Sequence, residues 1–178
     1  MNIRKKIIYI HLTLASFFLP FLLLMPVTGT LYIWDMKGEM GKEEIFRTNE
    51  KPPEDNDALA DFFRQQISAK GFKADFETVR ANKGDFTFRP SSRDHFSAST
   101  ENGELVVYQL KPSFLKRLIE LHKAHGPEFM RWVESAFGIF LVLITLSGLW
   151  LSLTIPAYRK ATWIAFLAGS LLIAYALI

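Results

Sequence analysis

Two long stretches of this sequence carry no charged side chain, and they lie towards its two ends. Residues 7–34 hold no acidic residue, lysine or arginine over 28 positions, and residues 136–154 hold none over 19. A helix of about 20 apolar residues crosses the roughly 30 Å hydrocarbon core of a bilayer. A third uncharged stretch, residues 161–178, has 18 residues. The sequence therefore predicts three transmembrane helices.

The first stretch follows a basic tip, Arg4-Lys5-Lys6, as a signal peptide would. Its apolar run is longer than the apolar region of a signal peptide, and no Ala-x-Ala cleavage pattern follows it. We therefore interpret it as an uncleaved membrane helix. Pro20 and Pro26 lie within it, which membrane helices tolerate, and we expect bending there.

The distribution of charge predicts the orientation of the spans. Residues 1–6 and 155–160 hold five basic residues and no acid, whereas all 18 acids lie between Asp35 and Glu134. Short basic segments stay on the cytoplasmic side of a membrane. The N-terminus and the 155–160 turn are thus predicted to be cytoplasmic. The polar middle and the C-terminus then lie outside, in the periplasm of a Gram-negative bacterium.

The polar middle is predicted to be a small α+β domain followed by an amphipathic helix. Residues 58–70 have apolar side chains at helical spacing, with Asp57 as the N-cap. Stretches of alternating polarity separated by turn residues predict an antiparallel sheet. Its strands are residues 72–80, 85–89, 95–100 and 104–110. Pro112-Ser113 then opens an amphipathic helix, which Gly126-Pro127 ends.

These interpretations divide the chain into five segments. They are a cytoplasmic tip with the first transmembrane helix (1–34), a periplasmic domain (35–111), an amphipathic helix at the outer interface (112–131), the second transmembrane helix (132–154), and an inner turn with the third transmembrane helix (155–178). The predicted fold is a membrane α+β protein, with its helix-plus-antiparallel-sheet domain between the first two spans.

The first two apolar stretches share a pattern. An apolar run ends in Thr28-Gly29 in the first and in Ser147-Gly148 in the second, and each span is preceded by histidine. Gly29 lies about 27 Å beyond His11 at the rise of an α-helix. We therefore expect His11 at the level of Gly148, and the histidines before the second span at the level of Gly29.

Three histidines near the spans are candidate functional residues. His11 is ionisable within the first turns of a span, where such residues are often functional; the alternative is an interfacial residue. His122 and His125 share one face of a helix. They are either ligands or a polar cap at the outer interface, hydrogen-bonded to Glu120 or Glu128. His95, on a strand, is expected at the surface.

Other chemistries find no support in the sequence. The chain has no cysteine, which excludes disulfides and thiolate metal sites. It contains no nucleophile triad, glycine-rich phosphate loop, zinc-ligand spacing or basic patch typical of nucleic-acid binding. We therefore predict no catalytic residue, no separate metal site and no nucleic-acid partner, and we leave open whether the protein is an enzyme.

Three motifs together resemble the PepSY-associated transmembrane family, over nearly the whole chain. They are Pro-Val-Thr-Gly-Thr-Leu at residues 26–31 after His11, Asn-Gly-Glu-Leu at 102–105, and Leu-His-Lys-Ala-His-Gly at 121–126 leading to Leu-Ser-Gly-Leu-Trp-Leu at 146–151. The resemblance implies a multi-pass protein of the bacterial inner membrane, in contact with the lipid bilayer. It also implies that residues 35–111 form a PepSY-like domain.

The resemblance further implies a cofactor. Some longer members resemble iron-regulated reductases that hold b-type haem between spans and reduce ferric siderophores. Carried over to this sequence, it makes His11, His122 and His125 candidate axial ligands of haem. Gly29 and Gly148 are positions of close packing. Their lack of a side chain either lets two helices pack closely or leaves room for a flat macrocycle against the backbone.

A haem bound by two imidazoles needs them on opposite faces, which raises the question of the second ligand. His122 and His125 share a face, so they cannot hold one haem between them. Either two copies of the chain form a homodimer and each donate a histidine, or His125 pairs with His95. Such a carrier would meet a redox partner or a ferric siderophore.

A second hypothesis comes from a different functional class. The chain would be a non-enzymatic, membrane-anchored PepSY module that binds or regulates a protein partner, with spans that serve only as anchors. An exposed sheet edge would offer a partner strand its backbone hydrogen-bonding groups.

Overall fold

The computed structural model describes residues 3–178, which form six helices and a five-stranded antiparallel sheet. The helices are α1 (Ile3–Phe17), α2 (Leu19–Ile33), α3 (Asn56–Ala69), α4 (Phe114–His122), α5 (Glu128–Leu153) and α6 (Pro156–Ala176). The strands are β1 (Met40–Thr48), β2 (Thr78–Asn82), β3 (Asp85–Arg89), β4 (His95–Glu101) and β5 (Glu104–Pro112). The predicted α+β class is confirmed.

In the described chain, α5 alone is a single straight candidate for a membrane span, with 26 residues and a mean hydropathy of 2.2. α1 and α2 qualify only as a pair, bent by 55° where they meet. The bend falls just before Pro20, whose nitrogen carries no hydrogen to donate, so the bending expected there is confirmed. Pro26 lies inside α2, which continues through it without a break. The third predicted span, residues 161–178, lies mostly within α6, which is not among the candidate spans and holds Arg159 and Lys160 in its first turns. Three transmembrane helices are therefore not confirmed.

The chain forms two compact units. The first unit combines residues 3–22 with residues 135–178, and the second unit comprises residues 23–134.

Aromatic rings pack the first unit. Phe18, at the break between α1 and α2, is 4% exposed. Its ring centroid lies 5.2 Å from that of Phe140 and 5.6 Å from that of Phe137. Such ring pairs contribute about 0.5–1.5 kcal/mol beyond the area they bury. The break thus turns Phe18 against α5 and holds α1 beside it.

The second unit is built on the sheet, whose strand order is β1-β5-β4-β3-β2. α3 packs on one face through Leu59, Phe63 and Ile67, which recur at helical spacing and are buried. The Phe63 ring lies 4.8 Å from that of Phe88 on β3. This aromatic core holds α3 against the sheet.

The sheet agrees with the prediction for β3, β4 and β5 and differs from it in two places. β1 is absent from the prediction, since its charged residues and a bulge between Glu44 and Phe46 obscure the two-residue period. The strand predicted at residues 72–80 begins only at Thr78. Phe76 is buried in the core although it lies outside the strand.

The helix caps also test the prediction. Asp55, and not Asp57, is the N-cap of α3, and its carboxylate accepts a hydrogen bond from the Ala58 amide at 2.9 Å. Ser113 caps α4 by accepting from the Lys116 amide, as expected for a helix that opens at Pro112-Ser113.

Candidate functional site

His11 lies within α1, and its ring contacts α5 inside the first unit. The Nδ1 atom is 2.9 Å from the Ser147 hydroxyl oxygen. The Cε1 atom lies 3.5 Å from the position that a Cβ atom on Gly148 would occupy. The imidazole therefore rests directly on the Ser147-Gly148 step, at the level that the helical rise predicts.

His122 repeats this arrangement inside the second unit. It is the last residue of α4, and its Nδ1 atom is 2.8 Å from the hydroxyl oxygen of Thr28 on α2. Its Cε1 atom lies 3.4 Å from the position of a Cβ atom on Gly29. Thr28 is 1% exposed, whereas His122 is exposed, so this hydrogen bond is buried only on the side of the threonine. We call the pairs Thr28-Gly29 and Ser147-Gly148 the hydroxyl-glycine steps. Each of them thus contacts one imidazole.

The hydrogen bonds of the two hydroxyls assign a tautomer to both rings. The Thr28 hydroxyl lies 2.7 Å from the Leu24 carbonyl oxygen, and the Ser147 hydroxyl lies 2.8 Å from that of Ile144. A carbonyl oxygen can only accept and a hydroxyl has one hydrogen, so we assign each hydroxyl as the acceptor towards its imidazole. This assignment puts the ring hydrogen of His11 and His122 on Nδ1 and the lone pair on Nε2.

Each hydroxyl-glycine step borders a cavity. A cavity of about 310 Å³ in the first unit is lined by Ile7, Ile10, Leu14, Leu143, Ser147 and Trp150. A cavity of about 210 Å³ in the second unit is lined by Thr28, Gly29, Tyr32, Ile119, His122 and Lys123. Pockets that enclose a whole ligand have volumes of about 300–1,000 Å³. The first cavity is at the lower end of this range and the second is below it, so a group as large as haem would be enclosed only in part by one chain.

His125 has an ionic partner. Its Nδ1 atom is 2.7 Å from the carboxylate of Glu120, which is 5% exposed. The same carboxylate accepts from the Ser91 hydroxyl at 2.8 Å, and the Nζ atoms of Lys116 and Lys123 lie 3.3 and 3.2 Å from it. We call these five residues the Glu120 clasp. It ties α4 to the segment that follows β3, as does the hydrogen bond from the Ser91 amide to the His125 carbonyl.

Both titratable partners in the clasp have shifted pKa values. Burial raises the pKa of Glu120, but hydrogen bonds from His125, Ser91 and Lys123 outweigh it and bring the value to about 2. Burial lowers the pKa of His125 more than Glu120 raises it. At neutral pH the clasp therefore joins an ionised carboxylate to a neutral imidazole.

The sequence model of the family described as "PepSY-associated TM region" matches residues 8–175. The chain belongs to this family. The resemblance drawn from its motifs is thus confirmed, and together with the apolar helix α5 it makes this a membrane-associated PepSY protein. A search of curated proteins and a search of solved structures each found no match.

His95 of this PepSY-associated protein is buried, with 4% of its surface exposed, so the predicted surface position is wrong. β4 lies inside the sheet, and consecutive side chains on a strand point to opposite faces. Phe96 joins the aromatic core, and His95 faces the other way, where its Nδ1 atom is 2.7 Å from the Arg93 carbonyl oxygen. Burial lowers the pKa of His95. His95 and His125 therefore each have their own protein partner.

The sequence identified the histidines and both hydroxyl-glycine steps of this family member as candidates. It did not predict the hydrogen bonds from His11 to Ser147 and from His122 to Thr28. The signal was present, because the helical rise puts His11 level with Gly148. The Glu120 clasp gave no such signal. Ser91 and Glu120 are 29 residues apart, and only the folded sheet brings them together.

Proposed function

We propose that this protein is a bacterial inner-membrane carrier of b-type haem, which moves electrons in support of ferric iron or siderophore reduction. The supporting observation is the pair of imidazoles whose Nδ1 atoms are held by hydroxyls, which leaves Nε2 of His11 and His122 as ligand atoms. Histidines that bind metals in proteins almost always donate their other ring N–H to a protein group or water.

At each step one imidazole nitrogen would be available to hold a haem iron. Haem, when bound, supplies a reversible one-electron couple. His11 and His122 would hold the iron, and apolar side chains such as Leu14 and Leu143 line the cavity beside Ser147. Gly148 and Gly29 place no side chain over either ring.

His122 is a better candidate ligand than His125, although the two are three residues apart. His122 lines a cavity beside α2, next to Ile119 and Tyr32. His125 instead lies within an ionic cluster that orders the connection to α5. A largely apolar macrocycle would be poorly accommodated among these charges.

The second axial ligand is proposed to come from a second copy of the chain. His11 is the sole histidine of residues 3–22 and 135–178. Where a two-fold axis passes close to a residue, it brings the two copies of that residue together. An axis beside His11 would let both copies of His11 bind one iron, and an axis beside His122 would do the same for a second iron. A homodimer of this kind holds one haem per chain.

Haem content and visible spectra of the purified full-length protein, expressed with sufficient haem, test the proposal. We expect a Soret band and one haem per chain. His11→Ala and His122→Ala should each remove about half of the haem, and the double variant should remove nearly all. His125→Gln is the matched control, and it should retain the haem. A wild-type protein without a Soret band would refute haem binding.

The orientation is also a proposal, supported by the charge asymmetry of the sequence. The N-terminus would be cytoplasmic, and the second unit and the C-terminus periplasmic. The chain has no native cysteine, so single cysteines can be labelled cleanly. In intact spheroplasts, an impermeant maleimide should label Ser68→Cys on α3 and spare Ala157→Cys at the start of α6. The reverse pattern would invert the topology.

A second candidate function rests on the free edge of the sheet at β2. β2 pairs with β3 and is the last strand in the sheet order. A cavity of about 480 Å³ runs beside it, lined in part by Asp57, Glu77 and Arg80. An extended segment of a partner protein could add to such an edge, with the spans as anchors. Partner binding that survives His11→Ala combined with His122→Ala, in a protein without haem, would favour this function.

A further inference from the structure

We infer that Ser147 and Thr28 are positioning residues that select the ligand tautomer of His11 and His122 and tune the redox potential of the iron they bind. The inference rests on the proposed function. Neither hydroxyl would touch the cofactor. Each acts through the Nδ1–H of its imidazole.

The direction of the hydrogen bonds carries the inference. In each site a backbone carbonyl accepts from the hydroxyl. The single hydroxyl hydrogen is then used, so we assign the hydroxyl as the acceptor of the imidazole Nδ1–H. Hydrogen bonds in such a chain polarise one another, so each hydroxyl that donates to a carbonyl is a stronger acceptor for Nδ1–H. An imidazole that donates its Nδ1–H is more basic at Nε2, and a more basic ligand stabilises ferric iron.

The choice of a hydroxyl follows from its surroundings. His125 donates to a carboxylate, but two lysines lie within 3.3 Å of that carboxylate and balance its charge. Ser147 lies inside the apolar helix α5, where a carboxylate would be costly. Serine and threonine are the acceptors that a membrane helix can hold without a charge, because their hydroxyls also bond to the helix backbone. The two sites therefore hold one tautomer with an uncharged hydrogen-bond acceptor.

A purely structural role for the hydroxyls is the competing explanation, and α5 contains matched controls for it. Ser152 donates to the carbonyl of Leu149, three residues before it, as Ser147 does to Ile144. Thr145 donates to the carbonyl of Leu141, four residues before it, as Thr28 does to Leu24. Ser152→Ala and Thr145→Val thus remove the same kind of backbone contact without removing an imidazole partner.

The first measurement is independent of haem. The chain has four histidines, so ¹⁵N labelling of histidine gives few signals, and two-bond ¹⁵N–¹H correlations report the tautomer of each ring. We expect the Nδ1–H tautomer at His11 and His122 in the haem-free wild type. Ser147→Ala should convert His11 to a mixture of tautomers, whereas Ser152→Ala should not. An Nε2–H tautomer at His11 and His122 in the wild type would overturn the inference.

The second measurement is potentiometric titration of the haem-loaded full chain. Ser147→Ala and Thr28→Val should each keep most of the haem and raise the midpoint potential of one haem. Ser147→Thr and Thr28→Ser should restore the wild-type value. Unchanged potentials in Ser147→Ala and Thr28→Val, equal to those of the two controls, would overturn the redox role while haem binding stands. A wild type without haem would instead overturn the proposed function and the redox role together.

Discussion

The Ser147–His11 pair and the Glu120 clasp hold an imidazole by the same atom but with partners of different charge. In the first unit Nδ1 meets a neutral hydroxyl at 2.9 Å, on a helix long and apolar enough to cross a membrane. In the second unit Nδ1 meets a carboxylate at 2.7 Å, beside two lysines. A buried carboxylate is tolerable where cations and donors surround it and expensive where they do not. The setting of each ring thus determines which partner can hold it.

The largest loss of stability is expected when the negative charge of Glu120 is removed. Glu120→Gln would leave Lys116, Lys123 and the partly buried Arg89 without their anion. Loss of one partner from a buried ion pair costs about 3 kcal/mol, so we expect the second unit to lose that much stability. Hydrogen exchange of the amides of β4 and β5 in the full chain would measure it, because these strands are central.

The control for that variant is an exposed ion pair on the same sheet. Glu43 lies 3.1 Å from Lys111, and both side chains are more than half exposed. Glu43→Gln should cost less than about 1 kcal/mol. Equal losses in the two variants would show that burial does not strengthen the clasp.

Acidification should destabilise the second unit, because the pKa values of His125, His95 and Glu120 are shifted. His125 and His95 have pKa values lowered below the ordinary 6.5, so the unfolded chain binds more protons than the folded chain. Their contribution to stability is complete above pH 6.5 and is lost as the pH falls through the folded values. Glu120, with a pKa near 2, adds a loss below about pH 4.5. Hydrogen exchange of β4 and β5, with rates corrected for pH, should show stability that falls from pH 7 to pH 4.

The variant His125→Gln shows how much of the stability lost between pH 7 and pH 5 is due to His125. His125→Gln keeps a donor for Glu120 but cannot titrate, so the loss between pH 7 and pH 5 should shrink to the part owed to His95. A second unit that gains stability on acidification would contradict the assigned directions of both histidine shifts.

Removal of a neutral donor is expected to disturb the clasp less than removal of its charge. Ser91→Ala deletes the hydroxyl that donates to Glu120 at 2.8 Å and accepts from Arg89 at 2.6 Å. A hydrogen bond to a charged group contributes about 1.5–3 kcal/mol, and a carboxylate with other donors loses towards the lower end of that range. The same exchange measurement should therefore rank Ser91→Ala between Glu43→Gln and Glu120→Gln.

What the sequence predicted, and what it did not, follows the range of the forces involved. Uncharged runs, turn residues and the Ser113 cap act within a few residues, so α4, α5 and three strands could be predicted. The level of His11 beside Gly148 followed from a fixed helical rise. The Glu120 clasp and the burial of His95 depend on which sheet face each residue occupies after folding, and β1 joins the sheet only through β5, more than 50 residues later. Such contacts leave no local period in the sequence.

The smallest expected effect concerns the two glycines under the imidazoles. A Cβ atom at residue 148 would lie 3.5 Å from the ring of His11, and one at residue 29 would lie 3.4 Å from the ring of His122, which are contact distances without overlap. Alanine is also better than glycine inside a helix by up to about 1 kcal/mol. Gly148→Ala and Gly29→Ala should therefore change the stability and the tautomer of each ring little, with Gly29→Ala the tighter of the two. Gly148→Val adds branching where alanine already touches the ring, so it should separate His11 from Ser147. If Gly148→Ala alone disrupts the Nδ1–H tautomer, a Cβ atom at residue 148 displaces the His11 ring. The contact distance of 3.5 Å would then underestimate the space that the imidazole needs.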